Sequence, residues 1–134
     1  MSSGQAGLPA AAMRILLVED SPSDADLVQQ ALQLTGAGRF EFTWVECLQD
    51  ALVRLGDESF DVLLLDLSLP DSSGAETFRR AHNAAPLIPI VVLTGASDES
   101  LGLAAVQEGV QDYLVKGQAD GRQIARAIRY AIDG

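Results

Sequence analysis

The chain has 134 residues, of which 48% are hydrophobic, and its formal net charge at pH 7 is −10. This length suits one domain with a single core. No apolar run approaches the roughly 20 residues that a membrane helix requires. The acidic balance argues against nucleic acid as a direct partner, because contacts to phosphates need lysine and arginine.

The N-terminal segment is rich in small residues and contains no basic residue. It lacks the charged start and apolar centre of a signal peptide. We therefore predict a disordered tail over residues 1–12 and one domain over residues 13–134. The single cysteine, Cys47, cannot form an internal disulfide, which favours a cytoplasmic location.

Apolar runs alternate with helical stretches along the rest of the chain. The predicted strands cover residues 14–18, 40–45, 62–66, 90–94 and 112–115, and the predicted helices cover residues 22–34, 48–55, 75–83, 98–108 and 121–132. The second strand alternates apolar and polar residues, as an edge strand does, whereas the third is apolar throughout, as a central strand is. This order predicts an α/β fold with a doubly wound parallel sheet, flavodoxin-like, with strand order 2-1-3-4-5.

Local signals mark where several elements begin and end. Ser21 is a predicted N-cap of the first helix, and Asp24 has the position of the acid in a capping box. The second helix is predicted to stop near Gly56, Gly109 is predicted to be the C-terminal cap of the fourth, and residues 69–74 are a loop by composition. The predicted apolar face of the first helix consists of Leu27, Ala31 and Leu34.

Chemically active side chains follow the predicted strands. Glu19 and Asp20 follow the first strand, and Asp66 ends the third. Thr94 ends the fourth strand, and the only lysine of the chain, Lys116, follows the fifth. Because open α/β sheets place their sites at the carboxyl ends of the strands, we expect these five side chains to converge.

Three carboxylates at one sheet edge would repel each other, and a hard divalent cation relieves that repulsion. Carboxylate and carbonyl oxygens suit Mg²⁺. We predict an inner shell of Asp20, Asp66 and the main-chain carbonyl of Ser68, with Glu19 acting through water.

Asp66 is then the candidate nucleophile, since a carboxylate can attack a phosphoryl donor and form an acyl phosphate. Lys116 and the cation would neutralise charge on the transferring oxygens, and Thr94 could donate a hydrogen bond to one of them.

These motifs resemble the receiver domain of bacterial two-component response regulators over residues 13–132. The matching positions are Glu19-Asp20, Asp66, Pro70, Gly74, Thr94-Gly95-Ala96 and Asp112-Tyr113-Leu114-Val115-Lys116. The resemblance implies that Asp66 accepts phosphate from a histidine kinase or phosphotransfer protein with Mg²⁺, without turnover of a separate substrate. It also implies that Thr94 and Tyr113 move together to alter the surface of the fourth helix, fifth strand and fifth helix.

We expect this surface to regulate a partner, a second copy of the domain or a downstream output domain in a longer chain. Its outward side chains are predicted to be Leu103, Val106, Val110 and Tyr113.

One position departs from the family pattern. The family usually has proline after the lysine, often with a cis peptide bond, whereas this chain has Gly117. A cis bond before a residue other than proline costs about 2.5–4 kcal/mol. The sequence therefore favours a trans bond, with the freedom of glycine helping Lys116 to reach the site.

Three other functions compete with this one. A degenerate receiver would dock partners without being phosphorylated. A haloacid-dehalogenase-like phosphatase would need an acid where Ser68 stands, and a flavodoxin-like binding protein would need a glycine-rich phosphate loop after the first strand. Trp44 and His82 are expected to be packing or surface residues, and Trp44 is expected to report little on metal binding.

Overall fold

The computed structural model describes residues 12–36 and 38–133, so almost all of the predicted tail lies outside the described residues. The strands of the main sheet are β1 (Met13–Val18), β2 (Phe40–Val45), β3 (Val62–Asp66), β4 (Ile90–Thr94) and β5 (Asp112–Val115). The α-helices are α1 (Pro22–Leu34), α2 (Leu48–Asp57), α3 (Ala75–Ala84), α4 (Glu99–Gln107) and α5 (Gly121–Asp133), and a short 3₁₀ turn (Ala96–Asp98) precedes α4.

The five strands form one parallel sheet in the order β2-β1-β3-β4-β5, which confirms the predicted flavodoxin-like fold and strand order. Every residue of β3 and β4 is buried, as expected for strands that are covered on both faces. The direction of winding reverses between β1 and β3, so the carboxyl ends of these two strands border one crevice.

The sheet separates two apolar layers. In β1, Leu16 and Val18 pack toward α2, α3 and α4, whereas Ile15 and Leu17 pack toward α1 and α5. This alternation follows from the two-residue period of a strand. Among the described residues, no helix is long and apolar enough to cross a membrane.

The predicted apolar face of α1 is wrong. The buried residues of this helix are Ala25, Val28 and Leu32, whereas Leu27 and Leu34 are 64% and 86% exposed. Both sets recur at helical spacing, so periodicity alone does not choose between them. The small side chain of Ala25 allows the helix to lie close to the sheet, which the larger leucines would prevent at that position.

Three local predictions concern the ends of two helices and the loop between β3 and α3. α2 ends at Asp57, one residue beyond Gly56, which agrees with the predicted stop near Gly56. The predicted loop contains a two-stranded antiparallel hairpin, which pairs Ser68–Leu69 with Ser72–Ser73. Gly109 follows α4 with a φ of +116°, in agreement with its predicted role at the helix end.

Candidate functional site

Lys116 lies at the centre of the carboxyl edge of the sheet. Its Nζ donates hydrogen bonds to Glu19 Oε1 at 3.0 Å, to Asp66 Oδ2 at 3.0 Å and to Asp24 Oδ2 at 3.2 Å. Its main-chain N–H donates to the carbonyl of Thr94 at 2.8 Å, which ties the end of β5 to the end of β4. The strand ends therefore bring the predicted acids and the lysine together.

Glu19 and Asp66 are almost completely withdrawn from solvent, with 0% and 2% exposure. Burial, followed by the neighbouring Asp66, raises the pKa of Glu19 to about 7, although Lys116 and the Ser21 N–H act in the opposite direction. Burial alone would lower the pKa of Lys116, but its bonds to Glu19 and Asp66 raise it above its usual value. Near neutral pH Lys116 therefore keeps its positive charge, while the carboxyl group of Glu19 is partly protonated.

Three carboxylates are grouped closely enough to hold one ion. Glu19, Asp20 and Asp66 each offer an oxygen, and these oxygens lie within 4.8 Å of one another. Asp20 is exposed, so the group opens to solvent on its side. An all-oxygen, carboxylate-rich set fits a hard divalent cation such as Mg²⁺.

Ser68 follows Asp66 by two residues and begins the hairpin. Its main-chain N–H donates to Asp66 Oδ1 at 2.9 Å, so the two oxygens of Asp66 have different partners. This bond orients the Asp66 carboxylate and keeps the Ser68 backbone beside it.

Thr94 and Tyr113 occupy different environments. Thr94 is 2% exposed, and its hydroxyl donates to the Leu114 carbonyl over a long distance of 3.5 Å. The Tyr113 ring is half-buried, and its hydroxyl donates to Glu99 Oε2 at 2.9 Å. Of the predicted outward residues, Leu103 and Val106 are exposed, but Val110 is 4% exposed and belongs to the core.

The role predicted for Asp24 is wrong. Ser21 is the N-cap of α1, since its hydroxyl accepts from the Asp24 N–H at 3.3 Å. A capping box would return the Ser21 N–H to the acid at Asp24, yet that N–H donates to Glu19 Oε2 at 3.1 Å. Asp24 bonds to Lys116 instead, because the first turn of α1 begins at the same sheet edge. The position of Asp24, four residues after Asp20 in the sequence, is the signal that could have indicated its role in the site.

Trp44 forms a hydrogen bond to the segment that contains Glu19 and Asp20. Its indole N–H donates to the main-chain carbonyl of Glu19 at 2.7 Å, and 37% of the residue is exposed. This contact is more specific than the edge-strand packing that the sequence indicates. It gives a physical reason for the fluorescence of the indole to respond to changes at the acid pair, Glu19 and Asp20.

Asp71, at the turn of the hairpin, caps α2 from outside that helix. Its two carboxylate oxygens accept the N–H groups of Leu48 and Gln49, each at 2.9 Å, while the N-cap residue Cys47 makes no capping bond with its side chain. Partial burial would raise the pKa of Asp71, but these backbone bonds lower it. Asp71 thereby fastens the segment that follows Asp66 to α2. The sequence signal at this position is a Pro-Asp turn, which does not indicate a cap of α2.

The remaining predicted features lie close to expectation. None of the described peptide bonds is cis, and Gly117 has a φ of +84°, a conformation that favours glycine. His82 stacks on Phe78, with 5.5 Å between ring centroids, which agrees with a packing role.

Comparisons with known proteins agree with this geometry. The family model described as "Response regulator receiver domain" matches residues 15–129. The swarming motility regulation protein RssB of Serratia marcescens is 35% identical over 114 residues, covering 85% of this chain and 51% of RssB. The KDP operon transcriptional regulatory protein KdpE of Escherichia coli (strain K12) is 35% identical over 112 residues, covering 84% of this chain and 48% of KdpE. This chain thus spans about half the length of these two relatives.

Among solved structures, a receiver domain protein (CheY-like) from Methanospirillum hungatei JF-1 superposes with a TM-score of 0.73 and 25% identity. The match covers 92% of this chain and 95% of that one.

Proposed function

The chain belongs to the response regulator receiver family, and from this premise we propose that it is a switch operated by phosphorylation of Asp66. The observation that carries the proposal is the position of the only lysine, whose Nζ lies 3.0 Å from both Glu19 and Asp66 at the carboxyl edge of the sheet. An ammonium at that position can balance the charge that a phosphoryl group brings to Asp66.

The two carboxylate oxygens of Asp66 accept hydrogen bonds from different partners, which supports its role as an oriented nucleophile. Ser68 N–H holds Oδ1, and Lys116 holds Oδ2, so the carboxylate is oriented before a donor arrives. An oxygen of Asp66 attacks the phosphorus of a phosphohistidine, a P–O bond forms, and the P–N bond breaks with its electron pair leaving on the imidazole nitrogen. Lys116 stays beside the product because Glu19 and Asp24 also bind it.

Asp20, Asp66 and the Ser68 carbonyl would hold Mg²⁺, with Glu19 acting through water. When bound, the ion supplies positive charge opposite the transferring oxygens. The 4.8 Å grouping of carboxylate oxygens supports this assignment.

Thr94 is the proposed link from the phosphoryl group to the surface. Among the described residues, its buried hydroxyl bonds only to the Leu114 carbonyl, over a long distance of 3.5 Å, so turning toward a phosphoryl oxygen would cost little. That movement would empty space that Tyr113 can enter, and the surface of α4, β5 and α5 would change around exposed Leu103 and Val106. This surface is the proposed contact for a second copy of the domain, a partner or a downstream output domain.

The phosphodonor, a histidine kinase or phosphotransfer protein, is proposed to approach over α1. A groove of about 280 Å³ lies between α1 and the segment from β5 to α5, with Leu27, Ala31 and Leu114 among its walls. Asp24 and Lys116 also line it, which brings its polar end next to Asp66. An apolar donor surface seated here would present its histidine to the nucleophile.

Intact-mass spectrometry after incubation with acetyl phosphate and Mg²⁺ tests the proposal. The wild type should gain one phosphoryl group, and Asp66→Asn should gain none. Lys116→Arg should be phosphorylated poorly, because a planar guanidinium does not replace a compact ammonium. Absence of any adduct on the wild type, with a protein donor as well, would favour a module that docks without phosphorylation.

A further inference from the structure

The ring of Tyr113 lies directly against Gly102 in α4. A Cβ atom added to Gly102 would lie 2.5 Å from Tyr113 Cδ2, 2.7 Å from Cγ and 3.1 Å from Cβ. Non-bonded carbon atoms prefer about 3.5–4.0 Å. Because two of these atoms are at the root of the tyrosine side chain, a small swing of the ring does not relieve the collision. Only glycine at this position admits the observed Tyr113 rotamer.

Gly102 is not explained by backbone conformation. It lies inside α4, is buried and is not among the glycines with positive φ. Glycine is the least favourable residue in a helix interior after proline. The helix therefore bears an unfavourable residue where the tyrosine ring needs the room.

The Tyr113 hydroxyl is held by the same helix. It donates to Glu99 Oε2 at 2.9 Å, and Glu99 is the first residue of α4, three positions before Gly102. Residues three apart lie on one face of a helix. α4 thus holds the ring at its root and the hydroxyl at its tip.

We propose that Gly102 and Glu99 form a latch that stabilises the resting position of Tyr113 and so sets how readily the domain switches. This inference rests on the proposed function, in which Tyr113 leaves this position when Asp66 carries a phosphoryl group. A contact made in only one of two states shifts their equilibrium toward that state. Weakening the latch should therefore favour the switched state, and Gly102 and Glu99 act as positioning residues.

The chain offers a matched control for Gly102. Gly56 lies in α2 without positive φ, and a Cβ added there meets no atom of the described residues within 4 Å. Gly102→Ala and Gly56→Ala make the same chemical change in two helices. Only Gly102→Ala places the new methyl group against Tyr113.

Beryllofluoride, a phosphoryl mimic, gives the first readout when its affinity is measured in the presence of Mg²⁺. Gly102→Ala should bind it about fivefold more tightly than the wild type, and Glu99→Gln about twofold more tightly. Gly56→Ala should not differ from the wild type. In a Tyr113→Ala background, Gly102→Ala should have no effect on the affinity.

Fluorine NMR of 3-fluorotyrosine gives a second readout that needs no phosphoryl mimic. The chain has two tyrosines, and the exposed Tyr130 serves as an internal reference. The Tyr113 resonance should move in Gly102→Ala and Glu99→Gln, while the Tyr130 resonance stays. If Gly102→Ala does not fold, Glu99→Gln carries the test in both readouts. The Gly102→Ala/Tyr113→Ala pair, where only the 3.1 Å contact with the Cβ atom at position 113 remains, carries it in the affinity measurement.

The outcomes separate the two proposals. An unmoved Tyr113 resonance in both single variants overturns the latch, as does an affinity gain that persists in the Tyr113→Ala background. If the Tyr113 resonance moves in the single variants while the wild-type protein neither binds beryllofluoride nor accepts phosphate, the latch contact is supported and the proposed function is refuted.

Discussion

Mg²⁺ affinity is expected to depend on pH through Glu19. With a pKa raised to about 7, this carboxyl group is about nine-tenths protonated at pH 6 and about one-tenth protonated at pH 8. Mg²⁺ requires the carboxylate, so binding below pH 7 must displace a proton. The affinity should therefore rise about tenfold between pH 6 and pH 8 and level off above it. A carboxyl group with the ordinary pKa of 4.5 would give almost no change over this range.

NMR can measure both quantities in one set of samples. Amide resonances near Asp66 report the Mg²⁺ dissociation constant at each pH, and the Glu19 side-chain carboxyl carbon reports its own titration without metal. Glu19→Gln should give an affinity that does not vary with pH. His82→Gln, which replaces the only histidine of the chain, is the control and should retain the wild-type slope. A Glu19 carbon that titrates near 4.5, or an affinity that is flat in the wild type, would refute the reasoning.

The same pKa has a consequence for stability. The folded-state value of Glu19 lies above its ordinary value of 4.5, so its stabilising contribution is fully present below about pH 4.5 and is lost as the pH rises through 7. The rise to about 7 corresponds to about 3 kcal/mol. Without Mg²⁺, the free energy of unfolding of the wild type should fall by about this amount relative to Glu19→Gln between pH 5 and pH 8. Urea unfolding at each pH measures this free energy, and the same pH dependence for the wild type and Glu19→Gln would contradict the prediction.

Three further predictions concern residues outside the acid pair. Asp71→Ala should lower the free energy of unfolding by about 1–2 kcal/mol, because the first turn of α2 loses its two acceptors, and Asp71→Asn should lower it by about half as much. Urea unfolding measures both changes, and equal stability of the wild type and the two variants would contradict the capping role. The emission of Trp44, the only tryptophan, should change when Mg²⁺ is added, since its indole bonds to the Glu19 carbonyl, and the change should vanish in Asp20→Ala; an unresponsive wild type would show that the ion does not move this loop. Leu27→Glu should slow phosphorylation by a protein donor about tenfold and leave acetyl phosphate as effective as before, whereas equal rates with the protein donor would exclude α1 as its docking surface.

The sheet was predictable because its signal is local. β3 and β4 are continuous apolar runs, and their predicted and observed bounds agree. Strands of this kind bury both faces, so no choice of face arises. The alternation in β2 placed it at an edge, where the structure has it. Strand order then followed from the small number of topologies that a five-unit α/β chain adopts.

Residues at strand ends were also accessible to prediction, whereas the partners that reach them from loops and helices were not. Glu19, Asp66 and Lys116 are brought together by the parallel sheet itself. The bond from Trp44 to the Glu19 carbonyl depends on the register between β1 and β2, which places Trp44 beside Leu17. The cap that Asp71 provides depends on where the hairpin meets α2. Such contacts are fixed by tertiary packing and leave no periodic mark on the sequence.

The wrong face of α1 and the wrong role of Asp24 are connected. Asp24, Leu27 and Ala31 are three and seven positions apart, so they lie on one side of the helix. An apolar pattern alone turns that side toward the core, because it contains a leucine and an alanine at helical spacing. In the structure that side instead faces the groove beside the site, where all three residues line the wall and Asp24 accepts a hydrogen bond from Lys116. A helix with two interleaved apolar rows has two acceptable rotations. The close approach that Ala25 permits and the bond from Lys116 to Asp24 both favour the rotation that is observed.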